Sequence, residues 1–188
     1  SKINCKIILC DLPQTLAIQK FFLSNIFKSK KHNFVANNND NYKENFDINY
    51  VNCNQIFKKK FTFDLAINVN SFQEMKLDTI NRYIKFIELN LKDGGIFLHE
   101  NTVGHSTGSS VYPSGYNLPN NLKIKNVEYN FPSGKGIWCP FFTVVCKKDK
   151  HNKIKFSLIN KRKKVLKQFY KLSSSKPFFY EKKKTKKI

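Results

Sequence analysis

Residues 63–75 read Phe63-Asp64-Leu65-Ala66-Ile67-Asn68-Val69-Asn70-Ser71-Phe72-Gln73-Glu74-Met75. The first half is apolar and rich in β-branched and aromatic residues, which predicts a buried strand over 62–70. At Asn68 the run turns polar. Toward the C-terminus, Leu77, Ile80, Tyr83, Ile84, Ile87 and Leu91 recur at helical spacing and predict an amphipathic helix over 76–92. Asp93-Gly94-Gly95 supplies a helix stop. Ile96 to Glu100 form the next predicted strand. Toward the N-terminus, Ile48 to Cys53 suit a short strand. Residues 5–10 are another, ending at Asp11, and a Leu12-Pro13 turn leads into a helix over 14–27. Residues 29–47, rich in Lys and Asn, are expected to be a loop. Residues 101–120 hold Ser, Gly, Pro and Asn without period and predict a long loop of the lid or binding kind. Strands near 123–130 and 138–147, with Pro132 to Gly136 as the turn between them, predict an antiparallel hairpin.

Strands alternating with helices imply an α/β fold: a Rossmann-like, mostly parallel sheet with helices on both faces and a C-terminal antiparallel hairpin. Ligands of such sheets bind at the carboxyl ends of the strands. Here those ends carry Asp11, Cys53-Asn54, Asn68 to Glu74, and His99-Glu100-Asn101. Asp11 suits a ribose, because a carboxylate accepts hydroxyl hydrogen bonds, and it equally suits a turn or helix cap. Glu74 suits a general base or a first-turn helix acid. His99 and Glu100 are adjacent on a strand and so face opposite sides. His105, in the Ser/Gly loop, is free to reach a substrate or to stand in solvent. Gly134-Lys135-Gly136 fits a hairpin turn better than an anion cradle. No phosphate-loop or H-E-x-x-H pattern is present, which removes kinase-like and zinc-protease readings.

The 188 residues carry 34 Lys and Arg against 13 Asp and Glu, a formal charge of +21. Lys outnumbers Arg 32 to 2. Phosphate recognition favours the Arg fork, so the bias resembles an AT-rich coding sequence more than a selected phosphate surface. The charge is concentrated in residues 147–188, with 17 Lys and Arg against two acids. The expected division is therefore a domain over 1–147 and a basic tail over 148–188. That tail suits a solvated extension or a patch for an anionic lipid surface, a phosphorylated acceptor or RNA. Five cysteines without a C-x-x-C pair argue against a disulfide framework or zinc site and for a reducing, cytoplasmic setting. No run approaches a membrane span, and no carboxylate cluster suggests a metal.

The segment Phe63 to Met75 resembles the fourth-strand motif of the sugar O-methyltransferases, a branch of the class I S-adenosylmethionine-dependent methyltransferases. Ile7-Ile8-Leu9-Cys10-Asp11-Leu12-Pro13-Gln14-Thr15-Leu16 is similar to that family's second strand and following turn. The resemblance implies methyl transfer from S-adenosyl-L-methionine to a hydroxyl of a sugar or glycan precursor. It implies that Asp11 and Leu12 hold the cofactor ribose, that Cys53 and Asn54 border the adenine, and that Asn68 lies under the methionine portion. Asn70, Gln73 and Glu74 would face the methyl group or the acceptor, with His105 as a further acceptor contact. Glu74 is the first expected base and His99 the second. The family's first strand and Gly-rich turn have no counterpart in residues 1–188. That strand belongs at the centre of the family's sheet, so the chain is expected to be the C-terminal part of a longer enzyme and inactive alone. A basic nucleic-acid-binding module and an RNA methyltransferase are the competing expectations. The sequence does not define an oligomeric state.

Overall fold

The computed structural model describes residues 5–35, 43–102, 116–130 and 141–149. The chain divides into two compact units, Ser1–Phe61 and Thr62–Ile188.

In the N-terminal unit, β1 (Ile7–Asp11) leads into α1 (Pro13–Ile26), followed by β2 (His32–Val35) and β3 (Ile48–Asn52). Pro13 opens α1, where its missing N–H costs nothing and its fixed φ is already helical. The three strands run parallel with β3 in the middle. Central position explains why Ile48, Tyr50 and Val51 are fully enclosed while β1 is only partly covered. Leu16 of α1 packs with Ile48 and Tyr50, joined by Leu9, Leu23 and Phe34. The loop expected over 29–47 contains β2. Its four residues are polar at His32 and Asn33 and show no strand pattern alone. They are held by pairing with β3, by Asn33 Nδ2 donating to Asn49 Oδ1 at 2.9 Å, and by His32 stacking on Tyr50. Asp47 anchors the approach to β2 and β3. Its carboxylate accepts the Lys31 backbone N–H at 2.8 Å, which holds its pKa below the ordinary value.

The C-terminal unit contains β4 (Phe63–Val69), a 3₁₀ turn (Phe72–Glu74), α2 (Leu77–Asn90), β5 (Leu91–Thr102), β6 (Leu122–Asn130) and β7 (Phe141–Lys148). The strand order is β4-β5-β7-β6, with β4 and β5 parallel and the remaining pairs antiparallel. The expected closing pair is present as β6 and β7, with β7 inserted against β5; its connecting turn lies outside the described residues. The core gathers Ile80, Ile84 and Ile87 of α2 with Phe72, Leu91, Phe97, Leu122, Val144 and Cys146. Each such side chain contributes about 1.5–3 kcal/mol through burial.

Two details differ from expectation. α2 ends at Asn90, three residues before Asp93-Gly94-Gly95, and Lys148 Nζ donates to the Glu88 and Leu91 carbonyls at 2.6 Å each, satisfying groups at the helix end. Asp93 to Gly95 instead loop out within β5, so that Phe63 pairs with Leu91 and Leu65 already pairs with Ile96. Gly94 is left-handed there (φ +78°), and a Cβ on Gly95 would lie 2.8 Å from the Lys92 carbonyl oxygen. The second detail is β4, expected to be buried. Ala66 and Asn68 face the packed side, whereas Leu65, Ile67 and Val69 are 53%, 62% and 50% exposed.

Candidate functional site

Each unit presents polar groups at the carboxyl ends of its parallel strands. In the N-terminal unit, Asp11 closes β1 and pairs in register with Asn52 at the end of β3. The Asp11 carbonyl accepts the Cys53 N–H at 3.0 Å, and the Asn52 side chain accepts the Asn54 N–H at 3.0 Å. Asp11, Leu12, Cys53 and Asn54 therefore stand at one end of one small sheet. The Asp11 carboxylate accepts the Leu12 N–H through Oδ1 at 2.7 Å and the Gln19 amide through Oδ2 at 3.3 Å. A carboxylate offers about four acceptor positions, so each oxygen keeps one in reserve. Cys53 is a half-buried free thiol and Asn54 is exposed.

In the C-terminal unit, the end of β4 is tied to β5 by a chain of side-chain bonds. Asn101, fully buried, accepts the Phe72 backbone N–H at 3.0 Å and donates to Asn68 Oδ1 at 3.1 Å. Asn68 Nδ2 in turn donates to Ser71 Oγ. Both ends of the Asn68 amide are thus engaged within the protein. Asn70 occupies the left-handed region (φ +53°), which Asn tolerates better than most side chains, and its N–H donates to the Glu100 carbonyl at 2.8 Å. The chain reverses here and passes into the 3₁₀ turn, leaving Asn70 and Glu74 exposed and Gln73 half-buried.

His99 lies on the packed face of β5, 1% exposed, among Phe72, Phe97 and Tyr116, with ring centroids 6.3, 5.3 and 5.5 Å away. Neither ring nitrogen has a hydrogen-bond partner, and burial lowers its pKa to about 3. The imidazole is neutral at ordinary pH and surrounded as a packing side chain. Its neighbour Glu100 faces the opposite side and accepts from Thr143 Oγ1 at 2.6 Å. The Tyr116 hydroxyl is also buried without a partner, and its pKa is raised by the same loss of solvation. His105 lies outside the described residues, as does the Lys-rich segment from 150 onward. Among the described residues, no group of three His, Cys, Asp or Glu stands together, and no helix is long and apolar enough to cross a membrane.

Gln19 and Tyr116 were not singled out by the sequence, and Asn101 was placed at a strand end without a role. Gln19 lies in the second turn of α1, eight residues beyond Asp11 at the end of β1, a separation that carries no periodic signal. Asn101 is a polar residue on the inward parity of an otherwise apolar strand, a pattern that marks a hydrogen-bonded core position as readily as a site.

No protein-family model and no curated protein sequence matches the chain. Solved structures do. The N-methyltransferase NodS from Bradyrhizobium japonicum WM9, in complex with S-adenosyl-L-homocysteine, matches with a TM-score of 0.52 at 10% identity, over 77% of this chain and 67% of NodS. TehB from Haemophilus influenzae matches with a TM-score of 0.50 at 13% identity, over 79% of this chain and 59% of TehB. The likeness shows the fold: Rossmann-like α/β, of the kind found in class I S-adenosylmethionine-dependent methyltransferases.

Proposed function

We propose that the chain is part of an S-adenosylmethionine-dependent O-methyltransferase that acts on a hydroxyl of a sugar or glycan precursor. One observation carries the cofactor assignment. Asp11 stands at the carboxyl end of β1 with two acceptor positions in reserve, beside the end of β3, in a chain of methyltransferase fold. In this reading Asp11 accepts from the ribose hydroxyls, with the Leu12 backbone beside it, and Cys53 and Asn54 border the adenine. When bound, S-adenosylmethionine supplies an electrophilic methyl group on a sulfonium.

The acceptor side belongs to the C-terminal unit. A sugar hydroxyl is a weak acid, so its attack benefits from a proton acceptor within hydrogen-bond reach. Glu74 is exposed on the 3₁₀ turn and takes that role. Asn70 and Gln73, on the same reversal of the chain, orient the hydroxyl. Asn68 acts from below, through the backbone it holds, with both ends of its amide engaged by Ser71 and Asn101. His99 contributes packing, because a deeply buried neutral imidazole has no route to an acceptor proton. The Gly-rich turn that would wrap the methionine end is not among residues 1–188.

Transfer is therefore tested in a polypeptide that includes such a turn. Label from methyl-labelled S-adenosylmethionine should pass to a glycan fraction, and Glu74→Gln should slow that transfer about 10²-fold or more. Label in RNA would replace the acceptor, and full transfer by the Glu74→Gln variant would remove Glu74 from its role. The basic-module alternative has the charge of residues 147–188 in its favour. It requires nucleic-acid binding that weakens steeply with salt and is indifferent to Glu74→Gln.

A further inference from the structure

We infer that Gln19 is a second ligand-recognition residue of the N-terminal unit, acting with Asp11 as an acceptor pair specific for a vicinal diol. The inference rests on the ribose reading of Asp11 and adds to it a residue on a different element. Gln19 Nε2 donates to Asp11 Oδ2 at 3.3 Å. The direction of that bond is fixed by chemistry, because an ionised carboxylate only accepts. The other end of the amide is then fixed too. Gln19 Oε1 is turned away from the carboxylate, buried, and without a hydrogen-bond partner.

A buried amide oxygen left without a donor is unfavourable, and folding alone gives no reason to place one beside a half-used carboxylate. The two facts have one explanation in a ligand that brings donors. What the pair has in reserve is mostly acceptor: one position on each Asp11 oxygen and Gln19 Oε1, against a single remaining N–H on Gln19 Nε2. Such a pair repels phosphate and carboxylate groups and favours two neighbouring hydroxyls, the 2′,3′-diol of a nucleoside. Gln19 also restrains the carboxylate. Oδ1 is held by the Leu12 N–H and Oδ2 by the Gln19 amide, so both oxygens are fixed before a ligand arrives. Preorganised acceptors lose less freedom on binding.

The readout is a ratio of affinities, which a merely structural role would leave unchanged. Adenosine and 2′-deoxyadenosine are titrated separately into the 188-residue chain by calorimetry. The wild type should prefer adenosine about tenfold, the worth of one hydrogen bond. Gln19→Leu should reduce that preference to about threefold or less, and Gln19→Met, which keeps the length of the side chain, should do the same. Melting temperatures of both variants are measured alongside, and Gln19→Met serves where Gln19→Leu perturbs α1. If the wild type shows the preference and both variants keep it, Gln19 has no part in recognition and the ribose reading of Asp11 survives. If the wild type binds neither nucleoside, or both equally, the ribose reading fails and takes this inference with it.

Discussion

The carboxyl end of β1 and the carboxyl end of β4 are both polar, yet they use their hydrogen-bonding capacity in opposite ways. At β4, Asn101, Asn68 and Ser71 form a closed chain in which each amide end has a protein partner. At β1, Asp11 and Gln19 share one bond and leave acceptors in reserve. The first arrangement holds backbone: it fixes the 3₁₀ turn on which Gln73 and Glu74 stand. The second, in the ribose reading proposed above, offers acceptors to a ligand. Polar residues at strand ends are thus of two kinds, and whether a polar atom is left without a protein partner distinguishes them where residue type does not.

The difference is broken most forcefully at Asn101. Asn101→Leu leaves the buried Phe72 N–H and the partly buried Asn68 Oδ1 without partners, and should lower unfolding free energy by about 3 kcal/mol in urea titrations. A loss below about 1 kcal/mol would show that the network is not what holds the turn.

The next effect lies at His99, whose pKa falls from 6.5 to about 3 on folding. The unfolded chain takes up a proton below pH 6.5 that the folded chain refuses. His99 therefore costs nothing above pH 6.5, and stability is lost as pH falls toward 3, at about 1.4 kcal/mol per pH unit. Between about pH 7 and pH 5 the wild type should lose about 2 kcal/mol more than His99→Phe. Parallel pH profiles for the two proteins would mean that the imidazole is solvated and able to titrate, which would return it to the list of candidate bases.

The smallest stability effect is expected at Asp11. Asp11→Asn keeps an acceptor for the Leu12 N–H and stands half-buried at a strand end, so unfolding free energy should change by less than about 1 kcal/mol. A large loss there would make Asp11 a structural cap and erase the contrast between the two strand ends.

Much of this arrangement was legible from residue patterns. The strand bodies of β1, β3, β4 and β5, both helices and the polar strand ends follow from periodicity and from the abrupt change at Asn68. β2 was not legible, because its four residues are a strand only by virtue of β3 beside them. The exposure of Leu65, Ile67 and Val69 was also hidden, since an apolar strand reads the same whether one face or both are covered. At the sites, the motif marked Asn68, Asn70 and Glu74 as a group but could not separate Asn68, bonded at both amide ends within the protein, from the exposed Glu74. Gln19 and Asn101 act through partners 8 and 33 residues away in sequence, and such pairings exist only once the chain is folded.

The most direct test of the account is an amide chemical-shift titration of the ¹⁵N-labelled chain with S-adenosyl-L-homocysteine. The account predicts saturable shifts centred on Asp11, Leu12, Gln19, Cys53 and Asn54. Shifts that avoid these residues, or none at millimolar ligand, would contradict it.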